Sequence, residues 1–415
     1  MLDTPGGTHL LRRLQRSLVM SIQIIKEKVE QAKQFLQEFD VDCWITFARE
    51  SQINGDPMLA FLTPADITWH SAFMINKDRS THVIVGRYDV PTLDEIGVYD
   101  KVEGFVTGIK DQFIEYMKKK HPSKIAINYS KGSEICDGLT YGMFLTLYEM
   151  LAEIGMEDRL VSAERLVSAI RERKTPAEIS NMKEAIRITE EIWDATYKWL
   201  KPGVNSIEVA DFMKAEAAKR NVGLAWEPSV CPAVFAGLGE AEAHYAPSEK
   251  PVTRGEILNM DFGVRYNNYV SDMQRTFYVL KEDETEAPED VQHGFNTIVK
   301  AVQDAKDSIQ TGKEGWEVDA VARQVVVDGG FEEFPHGLGH QLGLFSHDGT
   351  ALFGPKWEKY AEKPYQKLEE NMVFTIEPRC TVPNRGIATI EEMIVITKDG
   401  AEWLTTPQKE LLLIK

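Results

Sequence analysis

The sequence predicts two domains, an α/β domain over residues 20–165 and an α+β domain over residues 177–415. Three observations predict them. Strand-like and helix-like segments alternate through the first part, the pattern of an α/β layer. A charged stretch, Ile170-Arg171-Glu172-Arg173-Lys174, runs straight into a helix start and marks a linker over residues 166–176. The second part repeats itself weakly: Gly203-Val204-Asn205-Ser206-Ile207-Glu208-Val209 is echoed by Gly312-Lys313-Glu314-Gly315-Trp316-Glu317-Val318. Two helix-pair-plus-strand units of that kind would pack as one pseudo-symmetric α+β domain with a cleft.

Composition narrows the function. With 415 residues and 43% hydrophobic content, the chain can fill a core in both halves. No stretch approaches the roughly 18 uninterrupted apolar residues of a membrane span. A net charge of -18 repels polyanions, which excludes nucleic acid and an anionic membrane as partners. The four cysteines, Cys43, Cys136, Cys231 and Cys380, are far apart and show no metal-type spacing. Reduced, buried thiols in a cytoplasmic protein are expected. Residues 1–19 are basic and Leu-rich around Leu10-Leu11-Arg12-Arg13 but lack a long apolar run and a cleavage site. They read as a disordered tail or an upstream start, with Met20 as the natural first residue.

In chain order, Ile25, Val29, Ala32, Leu36 and Phe39 recur at helical spacing, giving a helix over about 22–39. Cys43-Trp44-Ile45-Thr46-Phe47 reads as a buried strand. Phe73-Met74-Ile75 and His82-Val83-Ile84-Val85 flank a polar turn and read as a hairpin. A helix from Phe113 to Lys120 and a strand at Lys124-Ile125-Ala126-Ile127-Asn128 follow. His70, His82 and His121 form no ligand spacing. Thr175-Pro176-Ala177-Glu178 is a capping box with Pro at the first helical position, opening a long helix that ends near Pro202-Gly203. The acidic run from Glu282 to Asp290 is a solvated loop before a helix from about Val291.

Between the repeats lies a hairpin, Gly255 to Phe277, with an Asn-containing turn. A turn at Tyr266-Asn267 pairs Asp261 with Asp272; a turn at Asn267-Asn268 makes them diagonal neighbours on one face. Either way two carboxylates lie side by side and repel. A divalent cation, a shared proton or a nearby Arg would hold them.

Further on, His336, His340 and His347 sit among Gly337, Gly339 and Gly343. The glycines oppose a helix and fit a strand or loop whose backbone approaches a ligand. Glu377 ends an apolar strand, and Glu391 lies inside another, over Ile387 to Thr397. A carboxylate in such a setting needs a partner or a metal. Two Asp, two Glu and His form an oxygen-rich set that suits Mn²⁺, Zn²⁺ or Co²⁺. Four carboxylates exceed the charge one divalent ion needs, so two metal ions are expected.

Taken together, Asp261, Asp272, His340, Glu377 and Glu391 resemble the five metal ligands of the creatinase/aminopeptidase P/prolidase (pita-bread) metallopeptidases. The resemblance spans residues 20–415 and implies an N-terminal creatinase-type α/β domain followed by the pita-bread catalytic domain. It implies that Asp261 holds one metal, that His340 and Glu377 hold the other, and that Asp272 and Glu391 bridge them. His244 and His347 match the family's active-site histidines, and His336 the first of its histidine cluster. The implied activity is Xaa-Pro dipeptidase acting on small peptides, with aminopeptidase P as the alternative and a homodimer or homotetramer as the assembly. A non-peptidase metal enzyme or a peptide-binding module on this fold is a remoter reading.

The chain departs from the family pattern in three places. Thr389 stands where members carry Arg two residues before the last Glu. Pro228-Ser229-Val230 replaces a Tyr, and Gln274 replaces a Thr after the second Asp. Arg385 is the candidate to substitute for the missing arginine.

Overall fold

The computed structural model describes residues 20–237 and 246–415; the tail over 1–19 and His244 lie outside the described residues. The chain divides into two compact units between Arg171 and Glu172. Among the described residues, no helix is long and apolar enough to cross a membrane.

The first unit is built on a six-stranded sheet. Its strands are β1 (Cys43–Ala48), β2 (Ser71–Asn76), β3 (Thr81–Gly86), β4 (Lys101–Phe105), β5 (Ile125–Ile127) and β6 (Leu160–Ser162). Their spatial order is β4-β3-β2-β1-β5-β6. The predicted hairpin is β2–β3, and β5 joins β1 in parallel after the helix Lys110–Lys120. The first helix, Ile22–Glu38, starts where the Ser21 side chain accepts from the Ile24 amide and buries the expected Ile25, Val29, Ala32 and Leu36 stripe. His82 meets Glu103 at 3.1 Å, and His121 and His70 lie against Arg159 and Arg49, so each is accounted for without a metal. Residues Glu164–Glu172, in the charged stretch, are helical.

The second unit opens on the helix Pro176–Trp199, whose capping box is formed by Thr175 and Glu178. The repeated motif produces the same local structure twice. Gly203 and Gly312 take φ +91° and +86°, and new helices then start at Ser206–Lys219 and Gly315–Asp328. Both starts carry a capping box, Asn205 with Glu208 and Glu314 with Glu317. The helix Glu289–Ser308 packs Phe295, Ile298 and Val302 into a core shared with Val318, Ala322, Phe374 and Ile394.

The sheets of this unit, whose first strand is β7 (Gly223–Leu224) and which include a short ladder of β13 (Gly339–His340) with β14 (Leu352–Phe353), carry the site. Strands β8 (Ala233–Ala236), β9 (Ile257–Phe262), β12 (Met273–Val279) and β20 (Leu412–Ile414) pair in the order β20-β12-β9-β8. Strands β15 (Val373–Ile376), β18 (Glu392–Thr397) and β19 (Gly400–Trp403) form a second sheet. Strands β16 (Arg379–Val382) and β17 (Gly386–Thr389) make a separate two-stranded ladder.

The central hairpin turns at Asn267-Asn268, with Tyr266 paired to Tyr269 across β10 (Val264–Tyr266) and β11 (Tyr269–Val270). Both asparagines have positive φ, +44° and +73°, as a two-residue hairpin loop requires and Asn tolerates. Asp261 therefore faces Gln274, not Asp272, and Asp272 is its diagonal neighbour. The arms cross closely below the turn: the Ser271 amide donates to Val264 O at 3.1 Å and the Val264 amide to Ser271 Oγ at 3.0 Å. A Cβ on Gly263 would collide with the Ser271 carbonyl, so only glycine allows this approach. Gly263→Ala should separate the strands next to both aspartates. It is expected to lower the melting temperature and weaken divalent-cation binding together, as thermal denaturation and calorimetry would read.

Candidate metal centre

Five side chains from four segments converge. Asp261 comes from the end of β9 and Asp272 from the residue before β12. Their carboxyl groups are near enough to perturb each other's protonation. His340, on the short strand β13 (Gly339–His340), places Nε2 3.4 Å from Glu377 Oε1 and 3.8 Å from Glu391 Oε1. Ligand atoms of Asp272, His340 and Glu391 all lie within 4.8 Å of one another, the spread of a shared cation site.

Local chain geometry explains each position. Gly339 lies on the Thr375 carbonyl, where any Cβ would clash, so β13 can run directly over β15. The His340 amide then donates to Thr375 Oγ1 at 3.1 Å, and the Glu377 amide to Leu338 O at 2.7 Å. Glu377 follows the last residue of β15, as expected. Glu391 differs from expectation: the strand read over Ile387 to Thr397 breaks at Ile390-Glu391. The chain changes partners there, from β16 to β15, and the freed backbone of Glu391 pairs with Gln274 through bonds of 3.2 and 3.4 Å.

Adjacent glutamates separate structure from chemistry. Glu392 is fully buried and satisfied by Arg275 at 3.0 Å, Thr405 Oγ1 at 2.6 Å and the Gln408 amide at 2.8 Å. Glu391 is equally buried, but its Oε2 has no hydrogen-bond partner among the described residues, and neither has Asp261 Oδ1. Buried carboxylate oxygens without donors are costly. Here they open onto a cluster of further carboxylates and an imidazole. This donor set fits divalent cations and little else.

The same crowding drives protonation when no cation is bound. Burial pushes the Asp261 carboxyl up to about 7. Burial, and then the charge of neighbouring carboxylates, pushes Asp272, Glu377 and Glu391 well above the usual carboxylate range.

The histidines that are not in the carboxylate cluster lie at its edges. His336 lines a cavity of about 70 Å³ with Asp261, Gln274 and Glu377. Burial lowers it to about 4, so it is neutral, with its Nδ1 and the Gly337 carbonyl 2.8 Å apart. His347 is exposed and stands edge-on to the His340 ring, centroids 4.3 Å apart. Two buried charge networks fix these loops. Arg323, paired with Asp319 at 2.8 Å, donates to the carbonyls of Phe334 and His336, while Asp319 accepts from the Leu338 amide. Asp348 accepts from the Leu344 amide at 2.7 Å, and Arg265 of the hairpin donates to the Leu344 carbonyl.

The three departures resolve differently. Val230 lies in a turn whose carbonyl accepts from Trp226 Nε1 at 2.9 Å. Gln274, facing the cluster beside Asp261, donates through Nε2 to Glu377 Oε2 at 3.4 Å. Arg385 does not substitute for the missing arginine, because its Nε is 3.0 Å from Asp290 Oδ2 and its Nη1 bonds the Gly255 carbonyl. Sequence reasoning missed Arg379, which is the direct cross-strand partner of Thr389 and lines the same cavity. The signal was available: Arg379 follows Glu377 by two residues, the spacing that returns an extended chain to the same face.

Comparison with known proteins agrees with this geometry. The Xaa-Pro dipeptidase of Pyrococcus furiosus is 28% identical over 76% of this chain and 89% of its own length. The solved Xaa-Pro dipeptidase from Bacillus anthracis superposes with a TM-score of 0.68 at 24% identity, over 94% of this chain and 100% of that one. The X-Pro aminopeptidase from Thermotoga maritima superposes with a TM-score of 0.69 at 22% identity, over 91% and 99%. The fold is the expected one, an N-terminal α/β unit followed by the pita-bread unit. The profile of metallopeptidase family M24 matches residues 180–398, more than half of the chain and the whole span of the five converging residues, and the chain belongs to that family.

Proposed function

We propose that this chain is an Xaa-Pro dipeptidase whose two divalent cations are held by Asp261, Asp272, His340, Glu377 and Glu391. One observation carries the reading: four carboxylates and an imidazole converge, and two of the carboxylates keep buried oxygens without donors among the described residues. Cations bound there would supply an activated water and polarise the scissile carbonyl. Glu377, at the cavity wall, is placed to take the water's proton and return it to the leaving nitrogen. His347 stands at the exposed edge, where it can donate to the oxyanion. His336, neutral in its half-buried position, can bond the peptide beside the metals, and His244 is assigned the same task from the family resemblance.

Specificity for Xaa-Pro rests on the relatives, among which the Pyrococcus furiosus enzyme is named a dipeptidase. The aminopeptidase reading is supported by the likeness to the Thermotoga maritima protein. Initial rates on an Xaa-Pro dipeptide and an Xaa-Pro-Xaa tripeptide, with Mn²⁺, Zn²⁺ and Co²⁺ supplied separately, separate the two. Faster turnover of the dipeptide supports this reading; preference for the tripeptide makes the protein an aminopeptidase. A cytoplasmic homodimer or homotetramer completes the proposal.

Three outcomes follow. Asp272→Ala should abolish both activity and cation loading while leaving the circular dichroism spectrum unchanged; full turnover in that variant would sink the ligand assignment. His347→Ala should lower kcat about 10²–10³-fold with cation content unchanged, as loss of an oxyanion donor does. Parallel loss of metal would make His347 a ligand.

The third outcome concerns pH. The four carboxyls hold protons in the folded metal-free protein that the unfolded chain releases near pH 4. Stability of the metal-free protein should therefore fall as pH rises from about 4 through 7, where the unfolded state binds fewer protons. Cations select the ionised forms, so their stabilisation should grow over the same range. Melting temperatures between pH 5 and 8 with and without Mn²⁺ should diverge as pH rises; parallel curves would remove these carboxylates from the site.

A further inference from the structure

The loop between His340 and His347 is closed on itself. The Asp348 amide donates to the Gln341 carbonyl at 2.9 Å, joining the two ends, and the Gly343 amide donates to the Phe345 carbonyl at 3.0 Å inside. His347 is exposed, whereas the next residue, Asp348, is 2% exposed. A ring at the surface takes its position from the backbone beneath it, so the groups that hold Asp348 also hold His347.

A buried set of charges lies under this loop, supplied by the segment just before the helix Pro176–Trp199. Lys174 is 2% exposed and Glu172 4%. A Cβ on Gly343 would stand 2.9 Å from Asp348 Oδ2 and 3.0 Å from Lys174 Nζ. The ammonium and the carboxylate thus share the space that a side chain at 343 would take. Asp348 Oδ2 also accepts from the Leu344 amide at 2.7 Å. Burial lowers the Arg265 guanidinium from its usual value and the charge of Asp348 opposes the shift, so this arginine feels the same carboxylate. Glu172 accepts from the Thr350 amide. Burial raises the Glu172 carboxyl, against the Thr350 amide, the Gln341 side chain and the charge of Lys174. The Lys174 amide donates to the Asn371 carbonyl at 2.9 Å, at the foot of the strand β15 that leads to Glu377.

We propose that Lys174 is a positioning residue for catalysis, whose buried ammonium, set among Asp348 and Glu172, holds the loop that places His347. The inference rests on the peptidase reading above, in which His347 donates to the oxyanion. Removing a buried ammonium leaves its carboxylate neighbours short of a counter-charge, and Asp348 then loses part of what keeps it under the loop. His347 is displaced with it. The effect falls on kcat, because an oxyanion donor acts in the transition state. His340 keeps a separate anchor, its amide donating to Thr375 Oγ1 at 3.1 Å, so cation binding is spared.

The test uses the metal-loaded full chain. Lys174→Met removes the charge and keeps the bulk of the side chain; Gly343→Ala keeps every charge and drives the ammonium from the carboxylate. Both are made in the wild type and in the His347→Ala background. The readings are kcat and KM on an Xaa-Pro dipeptide, Mn²⁺ affinity by calorimetry, and the His347 ring resonances of ¹⁵N-histidine-labelled protein loaded with diamagnetic Zn²⁺, assigned by their loss in His347→Ala. Each substitution is expected to lower kcat about ten- to a hundred-fold, with KM and Mn²⁺ affinity nearly unchanged. Each should shift the His347 resonances, and each should cost less than about threefold in the His347→Ala background. The same loss of kcat with and without His347, or a parallel loss of Mn²⁺ affinity, would make Lys174 a general structural residue and overturn the proposal. So would unshifted His347 resonances. If Lys174→Met does not fold, Gly343→Ala decides by the same readings. Wild-type turnover in His347→Ala, or no Xaa-Pro hydrolysis by the wild type, would count against the peptidase reading instead, and the resonances alone would then decide whether Lys174 positions this ring.

Discussion

Like charge held together in a poorly polarisable interior is the constraint on which the second unit depends. Four carboxyl groups meet, with Arg379 at the cavity beside them easing only Glu377, and burial raises each toward its neutral form. A pair of carboxyl groups can share a proton, but four together, two of them with buried oxygens that lack donors among the described residues, must be balanced by positive charge from protons or from cations. Divalent cations would provide it. The site is thus a place where folding free energy is stored against metal binding, the usual coupling in a site that only the metal completes.

Much of the surrounding structure can be understood as resistance to that repulsion. The hairpin uses two asparagines at positive φ and a glycine at the crossing to bring Asp261 and Asp272 to one face. The chain between β17 and β18 changes sheets at Glu391, which locks its backbone to Gln274. The histidine loops are held by Arg323 with Asp319 and by Arg265 and Asp348, each bonded to loop backbone and not to the cluster. Rigid support from outside keeps donors in place without neutralising them, which a charge partner inside the cluster would do.

The residues that converge were legible because each violates a local rule: paired aspartates on a strand face, glutamates in apolar strands, and histidines among glycines. Parity even bounded the hairpin, and the structure selected the turn at Asn267-Asn268 from its two options. What escaped was cross-strand. That Glu391 occupies a break, not a strand interior, depends on which sheet each half joins, and no local pattern carries that. Arg385 was the natural candidate for a missing cation by proximity in sequence, yet the ladder turns it to Asp290 and sets Arg379 beside Thr389. A register of four residue pairs decided it.

The central claim is that these five side chains bind two cations in one cluster. Anomalous scattering at the manganese edge from crystals grown with Mn²⁺ tests it most directly. The account predicts two peaks among Asp261, Asp272, His340, Glu377 and Glu391, roughly 3.5–4 Å apart. Manganese bound elsewhere, or no peak among these residues at saturating Mn²⁺, would contradict it.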